Sequence, residues 1–146
     1  MIDVSFHPET EYLFDEVEAA HPGLKSELVQ GFRTCIESNF DVRAPRFGKF
    51  DPYLQPPSVL SAELWHVHIC MPPRRDFDAR RLRWDEMKCR TDEPELDAAL
   101  VYVQGLMDRD AYCLIAFLYP KAHHKSNQDA FMKWLARLGK QFRRGH

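Results

Sequence analysis

The sequence predicts an α+β fold: two N-terminal helices, then a small, mostly antiparallel sheet, then a C-terminal helix packed on it. Three observations predict it. Apolar residues recur at helical spacing near both ends of the chain. Between them, residues 64–70, 99–106 and 111–119 alternate or run continuously apolar, as strands do. The last two runs are separated only by Met107-Asp108-Arg109-Asp110, which suits an antiparallel hairpin and is far too short for a crossover. Helices and strands segregated in this way give α+β rather than an alternating α/β order.

Each element has its own justification. Pro8 suits the first turn of a helix, Leu13, Val17 and Ala20 continue it, and Pro22-Gly23 stops it. Leu24, Leu28, Phe32, Cys35 and Ile36 form one face of a second helix, so residues 1–39 read as a helical hairpin. Residues 40–62 carry Pro45, Pro52, Pro56 and Pro57 without a period and read as a loop with room for a short strand. In residues 64–70, Trp65, Val67 and Ile69 face one way and Leu64, His66, His68 and Cys70 the other. The polar, arginine-rich run from Met71 to Lys88 reads as a loop with a short strand or helix inside it. Ala99–Leu106 puts Leu100, Tyr102 and Gln104 on one face and Val101 and Val103 on the other. Ala111–Tyr119 is apolar on both faces, as a central strand must be. Pro120 ends the sheet run, and Ser126 to Asp129 fits the start of a helix. That helix has two stripes. Phe131, Leu135, Leu138 and Phe142 form the apolar one; Lys133, Arg137, Lys140 and Arg144 form a cationic one, offset by about 200° around the axis.

At 146 residues, 45% hydrophobic and 29% charged, the chain is expected to form one domain spanning 1–146 with a core of its own. No run approaches the roughly 18 apolar residues of a membrane span. The acidic N-terminal segment has no signal-peptide pattern, so the expected location is the cytoplasm, with no membrane partner. Four cysteines without a C-x-x-C pair suggest reduced thiols. The net charge of -2 is unevenly spread. Residues 1–60 hold 10 acids and 5 bases, whereas residues 121–146 hold 7 bases and one acid. The basic end is either a solvated tail or an electrostatic footprint for a polyanion. P-loop, G-x-G-x-x-G, G-x-S-x-G and H-E-x-x-H motifs are all absent, which removes support for NTPase, dinucleotide-binding and standard serine-hydrolase readings.

The candidate functional residues lie mostly between Arg90 and Arg143. His66 and His68 share a strand face, and His123 and His124 follow the last strand between Lys121 and Lys125. Imidazoles so placed serve proton transfer near neutral pH. They equally serve a metal, or simply hydrogen-bond at a sheet edge. Arg90 offers a planar donor fork for phosphate, beside Thr91. Tyr102 and Gln104, two residues apart on one face, could stack on or hydrogen-bond a base; a buried tyrosine with a satisfied hydroxyl is the structural alternative.

With these residues in view, the C-terminal half resembles the YafO family of toxins from bacterial type II toxin–antitoxin modules. The likeness rests on Trp65-His66-Val67-His68-Ile69, Arg90-Thr91 followed by acids, and Leu100-Val101-Tyr102-Val103-Gln104-Gly105. It continues through Asp108, Ala111, Leu114-Ile115-Ala116, Pro120, His123 and Gln141-Phe142-Arg143. It covers residues 63–143. The resemblance implies a RelE/ParE-like fold and a ribosome-dependent mRNA interferase that arrests translation. It implies mRNA, the ribosome (rRNA) and a cognate, YafN-like antitoxin as partners. It also implies cleavage without a metal or other cofactor, the ribose 2′-OH attacking the adjacent phosphate. Such chemistry needs a base, an acid and cations around the phosphorane. The expected proton-transfer groups are His68, Tyr102 and His123. The expected RNA contacts are His66, Arg90, Thr91, Gln104, His124, Lys125, Lys133, Arg137, Lys140 and Arg143.

Three rival readings stand beside this one. A ParE-like toxin would keep the fold and act on a protein such as gyrase. A metal-dependent hydrolase would use His66, His68 and His123. A non-catalytic RNA-binding module would use the basic helix alone, with a steep salt dependence.

Overall fold

The computed structural model describes residues 1–71 and 93–146. Its elements are β1 (Asp3–Phe6), α1 (Glu11–Ala20), α2 (Leu24–Glu37), β2 (Phe47–Pro52), α3 (Pro57–Ser61), β3 (Trp65–Ile69), β4 (Ala99–Gln104), β5 (Ala111–Leu118), α4 (Ala122–Ser126) and α5 (Asp129–Gly145), with a 3₁₀ turn at Pro94–Leu96. The strands form one sheet in the order β1-β5-β4-β3-β2. Among the described strands the β1–β5 pair alone is parallel; the others are antiparallel. The fold is α+β, as the sequence predicts, and its arrangement is consistent with a RelE/ParE-like fold.

Two apolar layers sandwich the sheet. On one face, Phe14 of α1 and Leu24, Leu28, Phe32 and Cys35 of α2 pack on Val67, Leu100, Tyr102 and Leu114. Phe32 is fully buried, with its ring edge-on to Tyr102 at 4.8 Å and to Tyr112 at 5.3 Å. On the other face, Met132, Leu135 and Ala136 of α5 and Val59 of α3 cover Val101, Val103, Ile115 and Leu118. All eight residues of β5 are buried, as expected of a strand covered on both faces. Register shifts between Val101 and Tyr102, so that Val101 faces Ala116 and Tyr102 faces Leu114. Ile115 and Ala116 therefore both turn toward α5, and Phe117 is free to join the opposite core.

Helix and sheet approach closely at two glycines. A Cβ on Gly31 of α2 would lie 2.3 Å from the Phe47 ring, and one on Gly139 of α5 would lie 2.9 Å from Val103 Cγ1. Arg143 secures the end of α5. Its Nε donates to the Gln104 carbonyl at 3.0 Å, its Nη1 to the Ala62 carbonyl at 3.3 Å, and its Nη2 pairs with the Glu63 carboxylate.

Four local expectations change. The hairpin region opens with a strand, β1, and Pro8 lies in a turn ahead of a helix that starts at Glu11. Four residues of DVSF carry little signal by themselves; the neighbouring β5 edge makes them a strand. Residues 40–62 hold β2 and α3 rather than a long loop, and a register irregularity between Phe47 and Phe50 breaks the alternation that would have announced β2. Ser126 ends the separate short helix α4, its hydroxyl donating to the His123 carbonyl, and α5 starts at Asp129 after Gln128. The arginine-rich run expected to be a loop with a short strand or helix lies, beyond Met71, outside the described residues, as do Arg90 and Thr91.

Candidate functional site

The centre of the candidate site is built where the end of β5 turns back over the start of β4. Pro120 and the 3₁₀ turn force a sharp path, and Lys121 takes a left-handed backbone with φ of 60°. For a residue with a Cβ this costs on the order of 1–2 kcal/mol. Hydrogen bonds from Lys121 N to the Pro94 carbonyl (2.7 Å) and from Ala122 N to the Asp97 carbonyl (3.2 Å) hold it there. The turn delivers His123 onto Asp97. One carboxylate oxygen, Asp97 Oδ2, accepts both the His123 backbone N–H at 2.7 Å and the His123 Nδ1–H at 2.9 Å. Asp97 is only 1% exposed, whereas the His123 side chain is 47% exposed. A buried carboxylate thus orients an accessible imidazole, fixing its tautomer so that Nε2 is left as the accepting nitrogen. The other Asp97 oxygen, Oδ1, is buried and has no partner among the described residues.

β2 and β3 supply the floor. His66 and His68 lie on the α5 side of the sheet, opposite Val101 and Ala99 in register. Their rings are 4.8 Å apart, and Tyr53 stacks on His66 at 4.1 Å with an interplanar angle of 19°. His68 Nε2 lies 3.3 Å from Asp51 Oδ2. Tyr53, His66 and His68, together with His123 and Ser126, line a pocket of about 180 Å³. Burial depresses both floor histidines, with neighbouring imidazoles adding to the effect: His66 falls to about 3 and His68 to about 4, although Asp51 pulls both upward. Both are neutral at neutral pH. His68, at 4% exposed, sits beneath the pocket rather than at its mouth.

Tyr102 and Gln104 are neighbours on one face, as the alternation predicts, but that face is the one away from His68 and His123. They line a second pocket of about 360 Å³ with Trp65, Arg109 and Tyr112. Gln104 Nε2 donates to the Tyr112 hydroxyl at 2.9 Å and to the Arg109 carbonyl at 2.6 Å. Tyr102 is 6% exposed, and burial pushes its hydroxyl far above the usual tyrosine range, so it stays protonated. The sheet therefore separates the expected proton-transfer set into His68 and His123 on one side and Tyr102 on the other.

The expected RNA-contacting residues are dispersed. His124 is exposed, its Nε2 3.3 Å from Gln128 Nε2. Lys125 Nζ donates to the Tyr119 carbonyl at 3.1 Å, and partial burial lowers its pKa. Lys133 and Arg137 are exposed and Lys140 half-buried on the outer side of α5, continued by exposed Arg144. Arg143 is held by the contacts that secure α5. Three residues of the site carry no signal in the sequence reading: Asp97, Asp51 and Tyr53. Histidine spacing alone does not point to them. The only available hint for Asp97 is an acid standing directly before an apolar strand.

A family model described as Toxin YafO, type II toxin-antitoxin system, matches residues 36–144, about three quarters of the chain. No curated protein and no solved structure gives a significant match. The matched span contains β2 to β5, α4 and all but the last residue of α5, and with them Asp51, His66, His68, Asp97 and His123.

Proposed function

Since this chain belongs to the YafO family of type II toxin–antitoxin toxins, we propose that it arrests translation as a ribosome-dependent endoribonuclease whose proton-transfer group is His123. A cognate antitoxin partner follows from the family. The observation that carries the catalytic reading is the Asp97–His123 pair: a buried carboxylate holding Nδ1 of an accessible imidazole over a pocket.

In the proposed reaction Nε2 of His123 accepts the proton of a ribose 2′-OH. The 2′-oxygen forms a bond to the adjacent phosphorus, and the bond from phosphorus to the 5′-oxygen breaks. The 5′-oxygen takes a proton from solvent at the open pocket mouth, leaving a 2′,3′-cyclic phosphate and a 5′-OH. A positioned general base contributes about 10²–10⁴-fold to such a step. The Asp97 hydrogen bond keeps the ring in place while it takes the proton. His124, exposed and next in sequence, offers a hydrogen-bonding group for the phosphate, whereas Lys125 is engaged by the Tyr119 carbonyl and is not among the residues lining the pocket. The cationic stripe of Lys133, Arg137, Lys140 and Arg144 provides a surface for rRNA phosphates, which would make docking salt-dependent.

The test is expression of wild type and His123→Ala under tight control, with mRNA cleavage followed in a translating extract and in one stripped of ribosomes. The expected result is growth arrest and ribosome-dependent cleavage by wild type, both reduced at least about 100-fold in His123→Ala. Equal growth arrest by the two proteins removes His123 from catalysis. Arrest accompanied by a DNA-supercoiling defect and intact mRNA refutes the ribonuclease reading altogether.

A further inference from the structure

The floor of the pocket has a chemistry that proton transfer at His123 does not use. Asp51 lies directly opposite His66 in the antiparallel register of β2 and β3, and His68 follows two residues along on the same face. One donor atom from each of Asp51, His66 and His68 lies within 4.8 Å of the other two. Asp51 Oδ2 and His68 Nε2 are 3.3 Å apart. Two ligand atoms at about 2.0–2.1 Å from a tetrahedral cation are separated by about 3.3 Å. Lys49 Nζ lies 3.3 Å from the other Asp51 oxygen, Oδ1, and so holds the carboxylate with Oδ2 toward the histidines.

His66 supplies an independent observation. Its Nδ1 is buried and has no hydrogen-bond partner among the described residues. A buried nitrogen left without a partner is unfavourable, and a ligand bond to it would relieve that. The Tyr53 ring stacked on His66 fixes the plane of the imidazole, and strands rather than a loop hold all three donors. A site whose ligands are positioned before binding loses little freedom on binding.

We propose that Asp51, His66 and His68 form a binding site for a transition-metal cation of the Zn²⁺ class. Two imidazoles and one carboxylate are the donor set that such an ion takes, whereas Ca²⁺ and Mg²⁺ prefer six or more oxygens. Three protein ligands leave a fourth position, and two of the three, His66 and His68, line the pocket that His123 also lines. The site differs from a three-histidine centre in taking its third ligand from the neighbouring strand, leaving His123 to Asp97. It is independent of the ribonuclease reading, because occupancy is measured without RNA.

The experiment uses the full chain without an affinity tag, stripped with EDTA and exchanged into chelator-free buffer at pH 7.5. It is titrated with ZnCl₂ by calorimetry, and occupancy is checked by competition with a chromophoric chelator. One equivalent of Zn²⁺ should bind at micromolar affinity or tighter and raise the Tm. Co²⁺ should give the strong visible bands of a four-coordinate ion. Asp51→Asn and His66→Gln should each weaken binding at least tenfold, and His21→Gln, on the opposite side of the sheet beside Tyr119, should leave it unchanged. Absence of Zn²⁺ binding in the wild type overturns the proposal, as does undiminished binding in Asp51→Asn, a half-buried position whose change the fold should tolerate. Loss of binding in His21→Gln to the same degree would assign the metal to surface histidines and equally overturn it.

Discussion

Acid should unfold this protein through His66 and His68, and the size of the effect can be worked from their burial. Both imidazoles are neutral in the fold, with pKa values of about 3 and about 4 against an ordinary value of 6.5. The unfolded chain therefore binds more protons than the fold between these limits. The stabilisation is fully present above about pH 6.5 and is lost as pH falls toward 4 and then 3. Within that window each histidine contributes a slope of about 1.4 kcal/mol per pH unit. Integrated from pH 7 to pH 4, each accounts for about 3 kcal/mol, or about 6 kcal/mol together. That is comparable with the whole stability of a typical domain, about 5–15 kcal/mol. The assay is urea unfolding at several pH values between 7.5 and 4.5, in EDTA, for wild type and the double variant His66→Gln/His68→Gln. The double variant keeps every other ionisable side chain of the protein, so the difference in slope reports the site of the two histidines. Wild type should lose about 2–3 kcal/mol more per pH unit than the variant between pH 6 and 4.5. Parallel curves would refute the reasoning, because the floor histidines would then be charged or solvated in the fold.

Other outcomes follow from single contacts. Asp97→Ala removes the acceptor of both His123 bonds and should lower toxin-dependent mRNA cleavage about 10–100-fold, with Asp97→Asn retaining more because it keeps an oxygen acceptor; equal activity in all three proteins would make Asp97 purely structural. Gly31→Ala should destabilise by about 1–3 kcal/mol in chemical denaturation, since a Cβ would overlap the buried Phe47 ring, outweighing a helix-propensity gain of about 1 kcal/mol; a more stable variant would show that the ring moves freely. Arg143→Lys should lose about 1–3 kcal/mol, because an ammonium cannot serve the Gln104 and Ala62 carbonyls and the Glu63 carboxylate at once, and an unchanged Tm would mean that α5 is held by its apolar stripe alone.

Much of the fold was legible because long elements repeat their pattern. α2 and α5 each bury one stripe over three or more turns, and β4 and β5 read as a hairpin from their apolar content and the short connection. The short or irregular elements were not legible. β1 has four residues and depends on pairing with β5, a strand more than a hundred positions away in the chain. The register irregularity in β2 erases the period that reveals a strand. The bulge in β5 leaves no trace, because β5 is apolar on both faces and a change of side alters no polarity pattern.

For the site, the sequence by itself determined the chemical inventory and local facing. It placed His66 with His68 on one strand face, Tyr102 with Gln104 on another, His123 just past the last strand, and cations along one stripe of the C-terminal helix. Local periodicity decides such things, since neighbours two residues apart on a strand must share a face. Only the tertiary structure decided which of these groups meet. Strand order put His68 and His123 on the α5 side of the sheet and Tyr102 on the α2 side. The turn at Lys121 brought Asp97 beneath His123, and the β2–β3 register brought Asp51 against His66 and His68. A carboxylate's partner across a turn or a strand pair depends on register and on which face each strand presents. Those are settled by packing the whole sheet between its two helical layers, and no local pattern of residues encodes them.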